Sequence, residues 1–259
     1  MKRRFARSAA LLLLVLLLLT ARPAGAQTSR STSLQLDAAY EHLSRGLSPW
    51  RTAGLTVQSE RAAGAMWRFG IRESVRFSRL DHGVTAAFQR PLSARVTASV
   101  EGGVSPSHHV LPQWAALGAV QVRVRGAWIA HASVQHRRYV DARVHIASTT
   151  VERYLRRYRG AYTLYLSNLG GLDTAVSQRL EGNVYYGAGT SSIGLSVSAG
   201  DELENIQPLG VLRTPVRSIA VSGKHWVTPA WFMAYDTMVH EQGVLYQRRR
   251  VSLTVGRRF

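Results

Sequence analysis

Segments of about ten residues in which apolar and polar side chains alternate recur along this chain, and that period of two constrains the fold more than any other feature. The clearest case is Trp67–Phe77. Trp67, Phe69, Ile71, Val75 and Phe77 share one parity, and Arg68, Gly70, Arg72, Ser74 and Arg76 share the other. Successive side chains of a strand point to opposite faces, so one face here suits lipid and the other suits water or an ion-paired interior. Glu73 breaks the pattern by putting a carboxylate on the apolar face, which predicts a bulge or a register shifted by one residue.

The same reading repeats. Leu34, Leu36, Ala38 and Tyr40 alternate with Gln35, Asp37 and Glu41, and Trp114, Gly118, Val120, Val122 and Val124 with Gln121, Arg123 and Arg125. Trp128, Ala130, Ala132 and Val134 alternate with His131, Ser133, Gln135 and Arg137. Val176, Leu180, Val184 and Tyr186 alternate with Ser177, Arg179, Glu181 and Asn183, and Ile193, Leu195 and Val197 with Gly194, Ser196 and Ser198. A soluble sandwich also alternates, but so many strands in series, with arginines and small residues on the polar face, predict an all-β, antiparallel up-and-down transmembrane barrel.

Connections give a second rhythm. Short turns are expected near Arg61–Gly64, Pro91–Ala94, Arg125–Ala127, Leu155–Arg157, Gly187–Ser191 and Val227–Ala230. Longer or more polar links are expected at Ser44–Pro49, Arg79–Gly83, Ser105–Gln113, Arg138–Ala142, Asn168–Thr174, Asp201–Pro215 and Glu241–Tyr246. Such barrels alternate short periplasmic turns with longer outer loops, so these connections predict about 14 strands, with about 12 as the alternative. Trp50, Trp67, Trp114, Trp128, Trp226 and Trp231 fall at strand ends, as do Tyr139, Tyr154, Tyr158 and Tyr246; amphipathic rings there read as interfacial girdles.

Both ends of the chain carry signals of their own. Lys2, Arg3, Arg4 and Arg7 precede an apolar run from Ala9 to Leu19, too short to span a bilayer as a helix, and Ala24-Gly25-Ala26 follows with the small-x-small pattern of a cleavage site. A cleaved signal peptide over residues 1–26 is expected, with Ala26 and Gln27 flanking the cut and residues 27–259 forming the barrel. At the other end Val251, Leu253, Val255 and Phe259 share a face opposite Ser252, Thr254, Gly256 and Arg258, the pattern of a terminal strand read by barrel-assembly machinery. Arg257 departs from it, standing where an apolar residue is usual. The location implied is the cell outer membrane.

The formal charge is +18, and beyond the leader Lys224 is the sole lysine, so the excess is almost all arginine. For an exported chain this points away from nucleic acid and toward lipopolysaccharide phosphates, anionic polysaccharide, small anions or carboxylates within the protein. Parity places Arg68, Arg72, Arg76, Arg123, Arg125, Arg137, Arg143 and Arg179 in the lumen, with Asp37, Glu41, Glu101, Glu181 and Asp236 as interior carboxylates. Two outcomes follow: a ladder of ion pairs that plugs the barrel, or a surplus of arginine along a water-filled path.

The order and spacing of several segments resemble the YaiO-like outer-membrane β-barrel family over nearly all the mature length. They are Tyr40-Glu41-His42-Leu43-Ser44 with Trp50-Arg51, Leu111-Pro112-Gln113-Trp114, His136-Arg137-Arg138-Tyr139 with Asp141, and Glu152-Arg153-Tyr154 with Tyr158-Arg159. Glu202-Leu203-Glu204-Asn205, Gly223-Lys224-His225-Trp226 and Gly256-Arg257-Arg258-Phe259 complete the set. The resemblance implies an outer-membrane barrel and no catalytic motif.

Chemistry-bearing residues outside the strands are His108, His109, His240, Glu241, Glu202 and Glu204, which read as solvated loop residues rather than as a hydrolase site. No cysteine is present, adjacent histidines on an extended chain point apart, and no third ligand stands out, so neither metal nor cofactor is expected. Two functions are carried forward: a structural or envelope-associated barrel linked to a surface-polysaccharide pathway, and a small anion-preferring channel. An outer-membrane hydrolase is a distant third.

Overall fold

Alternation on this scale produces fourteen antiparallel strands in the computed structural model, which describes residues 31–61, 64–170, 174–187, 190–206 and 210–259. The expected signal peptide lies outside the described residues. The strands are β1 (Ser31–Leu43), β2 (Trp50–Glu60), β3 (Met66–Arg76), β4 (Arg79–Pro91) and β5 (Val96–Val104). Then come β6 (Trp114–Arg123), β7 (Trp128–Arg138), β8 (Arg143–Leu155), β9 (Tyr158–Leu169) and β10 (Thr174–Tyr186). β11 (Ser191–Ile206), β12 (Gly210–Trp226), β13 (Trp231–Gln242) and β14 (Tyr246–Arg258) follow. Each strand pairs with its neighbours in sequence, and β1 pairs with β14 from Ser33↔Arg258 to Leu43↔Arg248, closing the sheet into a barrel. Closure leaves no edge strand, the condition for a sheet to sit in lipid.

Burial is inverted relative to a water-soluble core. Phe69 is 54% exposed and Val134 63%, whereas the inward Ser74 is 1% exposed. Ile71, Val84, Val100, Leu180, Leu195 and Leu253 are also exposed on the outer wall. An apolar band of this extent is not sustained in water and marks a lipid-facing surface. Connections after odd-numbered strands share one end with the longest described loop, 105–113; Ser31 and Phe259 lie at the other. By the general rule for these barrels the loop end is the outer mouth.

The register through Glu73 is unbroken, from Met66↔Gln89 to Arg76↔Arg79, so the expected bulge is absent. Glu73 does face outward, and its carboxylate meets the outward His82 directly across the ladder at 3.5 Å. Arg79–Gly83, expected as a link, instead begins β4; the turn is only Phe77 and Ser78, at φ 49° and 61°. Two consecutive positive φ values define the tight hairpin turn whose twist suits flanking strands. Asp201–Pro215, also expected as a link, is largely strand. β10 stops pairing β11 at Ser177↔Gly200 and β13 stops pairing β12 at Val216↔Gln242, so a two-stranded tongue projects beyond the wall. Gly200, at its root, has φ +134°, and a Cβ there would collide with the backbone of β10, so the bend requires glycine.

The girdle reading needs correction. Trp67, Trp114, Trp128, Trp231 and Tyr158 lie on the outward parity, whereas Trp50, Tyr154, Trp226 and Tyr246 point inward. Trp50 is 1% exposed and forms with Leu43 and Tyr246 the small apolar core at the outer mouth. Ring size and strand-end position are shared by both groups; only the parity of the strand separates them. Arg143, expected in the lumen, faces outward, because Val144, Ile146, Ser148, Thr150 and Glu152 take the inward positions of β8. Arg125 lies in the β6–β7 turn rather than on a strand.

Candidate functional site

The interior is a charged lumen in which most arginines have found acids. Arg68 on β3 meets Glu101 on β5 at 2.5 Å, Arg248 on β14 meets Glu41 on β1 at 3.2 Å, and Arg250 meets Asp236 on β13 at 3.5 Å. Near the terminal end Arg159 on β9 bridges Glu152 and Glu181, each at 2.5 Å, and also donates to Asn183 Oδ1 at 2.9 Å. His131 reaches the other oxygen of Glu152 at 3.0 Å, and Arg179 reaches Glu181 at 2.8 Å. Asp37 is inward on β1, packed against Gly54; a Cβ there would meet its carboxylate at 2.6 Å. Charges removed from water need such partners.

Arg159, Glu152, Arg248 and Arg250 were not anticipated as lumen residues. The signal for Arg159 was present: Ala161, Thr163, Tyr165 and Ser167 share its parity and point inward on β9. The apolar content of both faces of that strand hides the alternation.

Loop 105–113 folds into the outer half of the lumen, and one carboxylate holds it there. Asp81 on β4, fully buried, accepts backbone N–H bonds from His109 at 2.9 Å, Val110 at 2.7 Å and Leu111 at 2.8 Å, and contacts His109 Nδ1 at 2.9 Å. Ser105 Oγ donates to the carbonyl of His82 at 2.7 Å, tying down the start of the loop. These bonds bury Val110 and Leu111, apolar residues that would otherwise sit in solvent.

Beneath this loop lies a cavity of about 300 Å³ lined by Arg72, Arg76, Glu101, Gln135, Arg137 and Tyr139. Arg76 points up to Glu204 at 3.6 Å and lies over the Trp50 ring at 4.6 Å. Arg137 donates to Gln135 Oε1 at 3.1 Å. Among the described residues neither Arg72 nor Arg137 makes an ion pair with a carboxylate, so two guanidinium groups face the cavity with donors to spare. Arg123 is exposed at the terminal-end rim of β6, away from this cavity.

The tongue closes over the outer mouth. Glu204 on β11 reaches Arg76 on β3, almost diametrically opposite in the strand order, and Leu212 on β12 packs against the Leu43, Trp50 and Tyr246 core. Burial and then the adjacent Glu204 raise the Glu202 carboxyl above the ordinary carboxylate range. Tyr139, in the β7–β8 connection beside Arg137 and Glu204, has its hydroxyl pushed up, chiefly by burial.

The residues weighed as hydrolase candidates do not assemble into a site. His109 is bound to Asp81, His240 Nε2 to Gln242 Oε1 at 2.8 Å, Glu241 faces outward, and Glu202 and Glu204 belong to the tongue. No group of three potential metal ligands occurs among the described residues.

Residues 31–204 match the family described as the YaiO membrane beta barrel domain. The chain belongs to that family. A search of curated proteins finds no match. Among solved structures, the chain is similar in fold to the COG4313 outer membrane channel from Pseudomonas putida F1, at 9% identity and TM-score 0.57, over 92% of this chain and 100% of that one. A bacterial polysaccharide outer membrane secretin is similar at 10% identity and TM-score 0.54, over 88% and 98% of the two chains. The anion-selective porin from Comamonas acidovorans is similar at 8% identity and TM-score 0.51, over 90% and 100%. This YaiO-family chain is therefore an outer-membrane β-barrel of porin-like fold.

Proposed function

We propose that this YaiO-family barrel is a small anion-preferring conduit whose outer mouth is capped by the tongue. One observation carries the reading: Arg72 and Arg137, without carboxylate ion pairs among the described residues, face the same cavity inside the lumen. A guanidinium presents parallel N–H donors that match a carboxylate or phosphate, and its positive charge is permanent. The cavity volume, about 300 Å³, is at the lower bound of small-molecule sites, which suits a small acidic solute or one acidic sugar unit. Fixed positive charge along a pore favours anions over cations. One solved relative in fold is described as an anion-selective porin, but the shared fold at that identity argues only for architecture.

The column of Arg68, Arg72 and Arg76 does not act as one continuous positive stripe. Glu101 and Glu204 offset its two ends and leave Arg72 as the free charge at its centre. The test is a reversal potential across a planar bilayer under a salt gradient, on the native protein and on Arg72→Gln with Arg137→Gln. Anion preference in the first and its loss in the second is the expected outcome. Cation preference in the native protein, or selectivity unmoved by the double change, would falsify the conduit reading.

A second reading, an envelope-associated barrel linked to surface polysaccharide, draws on the network around Arg159, which fills the lumen near its terminal end. It expects no current from the native protein or from a variant lacking the tongue.

A further inference from the structure

The outer wall carries a basic cluster that the lumen does not use. Trp114 on β6, Arg138 on β7 and Arg143 on β8 are direct cross-strand neighbours in one row near the outer mouth, and all face outward. Two positions deeper, His136 and His145 stand opposite each other, their Nδ1 atoms 3.1 Å apart. The His136 ring packs on Trp114 at 4.8 Å between centroids. Like charges directly opposite on adjacent strands repel and lower sheet stability. Among the described residues no carboxylate forms an ion pair with Arg138, Arg143, His136 or His145, so the protein itself does not offset that repulsion.

The cluster stands beside an apolar hollow. The same row continues from Trp114 to Val104 on β5 and Val84 on β4. On the lipid face, Ile71, Val84, Val104 and Trp114 border a depression of about 780 Å³ floored in part by the small residues Ala86 and Gly102. A tryptophan between an apolar hollow and a pair of arginines marks the depth at which acyl chain gives way to headgroup.

From this juxtaposition we infer that Trp114, His136, Arg138, Arg143 and His145 form a binding site for the phosphorylated headgroup of an outer-leaflet glycolipid, the lipid anchor of lipopolysaccharide. The phosphate lies between Arg138 and Arg143, where charge-assisted hydrogen bonds replace their mutual repulsion. An acyl chain occupies the hollow beside Trp114. The site is on the outer wall and does not depend on what the lumen conducts.

The test uses the full mature barrel in detergent micelles, titrated with bisphosphorylated lipid A and with its dephosphorylated form, bound copies being counted by native mass spectrometry. Native protein retains the phosphorylated lipid at least about tenfold more tightly than the dephosphorylated one, the ratio that one charge-assisted hydrogen bond supplies. Arg138→Gln with Arg143→Gln removes that preference and leaves the dephosphorylated affinity unchanged. Equal binding of both lipids by the native protein, or an undiminished preference in the double variant, overturns the assignment. So does displacement by inorganic phosphate at matched concentration, which would mark a site for free anions. Should the double variant fail to fold, arginine modification by phenylglyoxal on native protein in vesicles decides. Protection of Arg138 and Arg143 by the phosphorylated lipid alone supports the site, and protection by both lipids or by neither rejects it.

Discussion

Glu152 is the interior carboxylate whose loss costs the barrel most. It is 4% exposed and holds both Arg159, at 2.5 Å, and His131, at 3.0 Å. Removing one partner of a buried pair leaves the other charge uncompensated, so Glu152→Ala is expected to cost about 3–5 kcal/mol in denaturant unfolding from micelles. Glu152→Gln, which keeps an acceptor, costs less; equal losses for both would mean that the charge is irrelevant. On the opposite face Ile71 is exposed between Leu55 and Val84, and Ile71→Arg is expected to cost about 2–4 kcal/mol, the penalty for arginine at the bilayer midplane. Arg72→Ile, one residue away, should instead leave stability nearly intact and weaken anion preference. Equal tolerance of both changes would mean that this strand has no lipid face. Parity made Ile71 and Arg72 legible, because alternation assigns faces without knowledge of partners. It could not reveal Glu101 as the partner of Arg68, since which strands bring two charges together is set by register and by closure.

At the scale of elements, the tongue is the part that sequence reading described least well. Its inward parity carries Glu202, Glu204, Leu212 and Thr214, a mixture of carboxylates and apolar residues that resembles a polar loop because it packs on other protein rather than on lipid. Strands of the wall were legible because one of their faces meets a uniform solvent. The tongue has a definite pH behaviour. When the tongue is docked, burial and Glu204 hold the Glu202 carboxyl above its ordinary range, so the docked state binds more protons than the released state. Ionised Glu202 therefore opposes docking at neutral pH, and that opposition disappears as pH falls through the raised value. Single-channel open probability should decline on acidification from neutral toward pH 5, and Glu202→Gln should hold it low throughout. Open probability that rises on acidification would assign control to the Glu204–Arg76 pair instead. The inserted loop gives a second element-level expectation. Asp81→Ala leaves three loop N–H groups without their acceptor, so conductance should become larger and noisier while the wall, whose ladder does not use that side chain, persists in heat-modifiability gels.

For the whole molecule, the decisive event is closure of β14 onto β1, since neither edge is tolerable in lipid until the other arrives. Phe259 stands just past the last ladder pair, Ser33↔Arg258, and exchanges backbone bonds with Thr32, Phe259 N to Thr32 O at 2.8 Å and Thr32 N to Phe259 O at 3.4 Å. Its ring faces outward beneath Arg257, whose guanidinium also lies over Trp231 at 5.5 Å. That stacking shows how an arginine occupies a position where a terminal strand usually carries an apolar residue: the two rings cover its planar face. In the finished barrel, then, Phe259 contributes little beyond one terminal pair of hydrogen bonds, on the order of 1 kcal/mol each. We propose that its larger role comes earlier, as the residue read by the assembly machinery before the seam has formed. The two roles separate experimentally. Deleting Phe259 should sharply reduce heat-modifiable barrel in outer membranes while lowering the unfolding free energy of protein refolded in micelles by no more than about 2 kcal/mol, the two bonds lost. A deletion that assembles in cells at the native level would sink the recognition role. A refolded stability that falls in step with cellular yield would assign Phe259 to the seam itself, because a kinetic signal leaves no trace in the equilibrium between folded and unfolded chain.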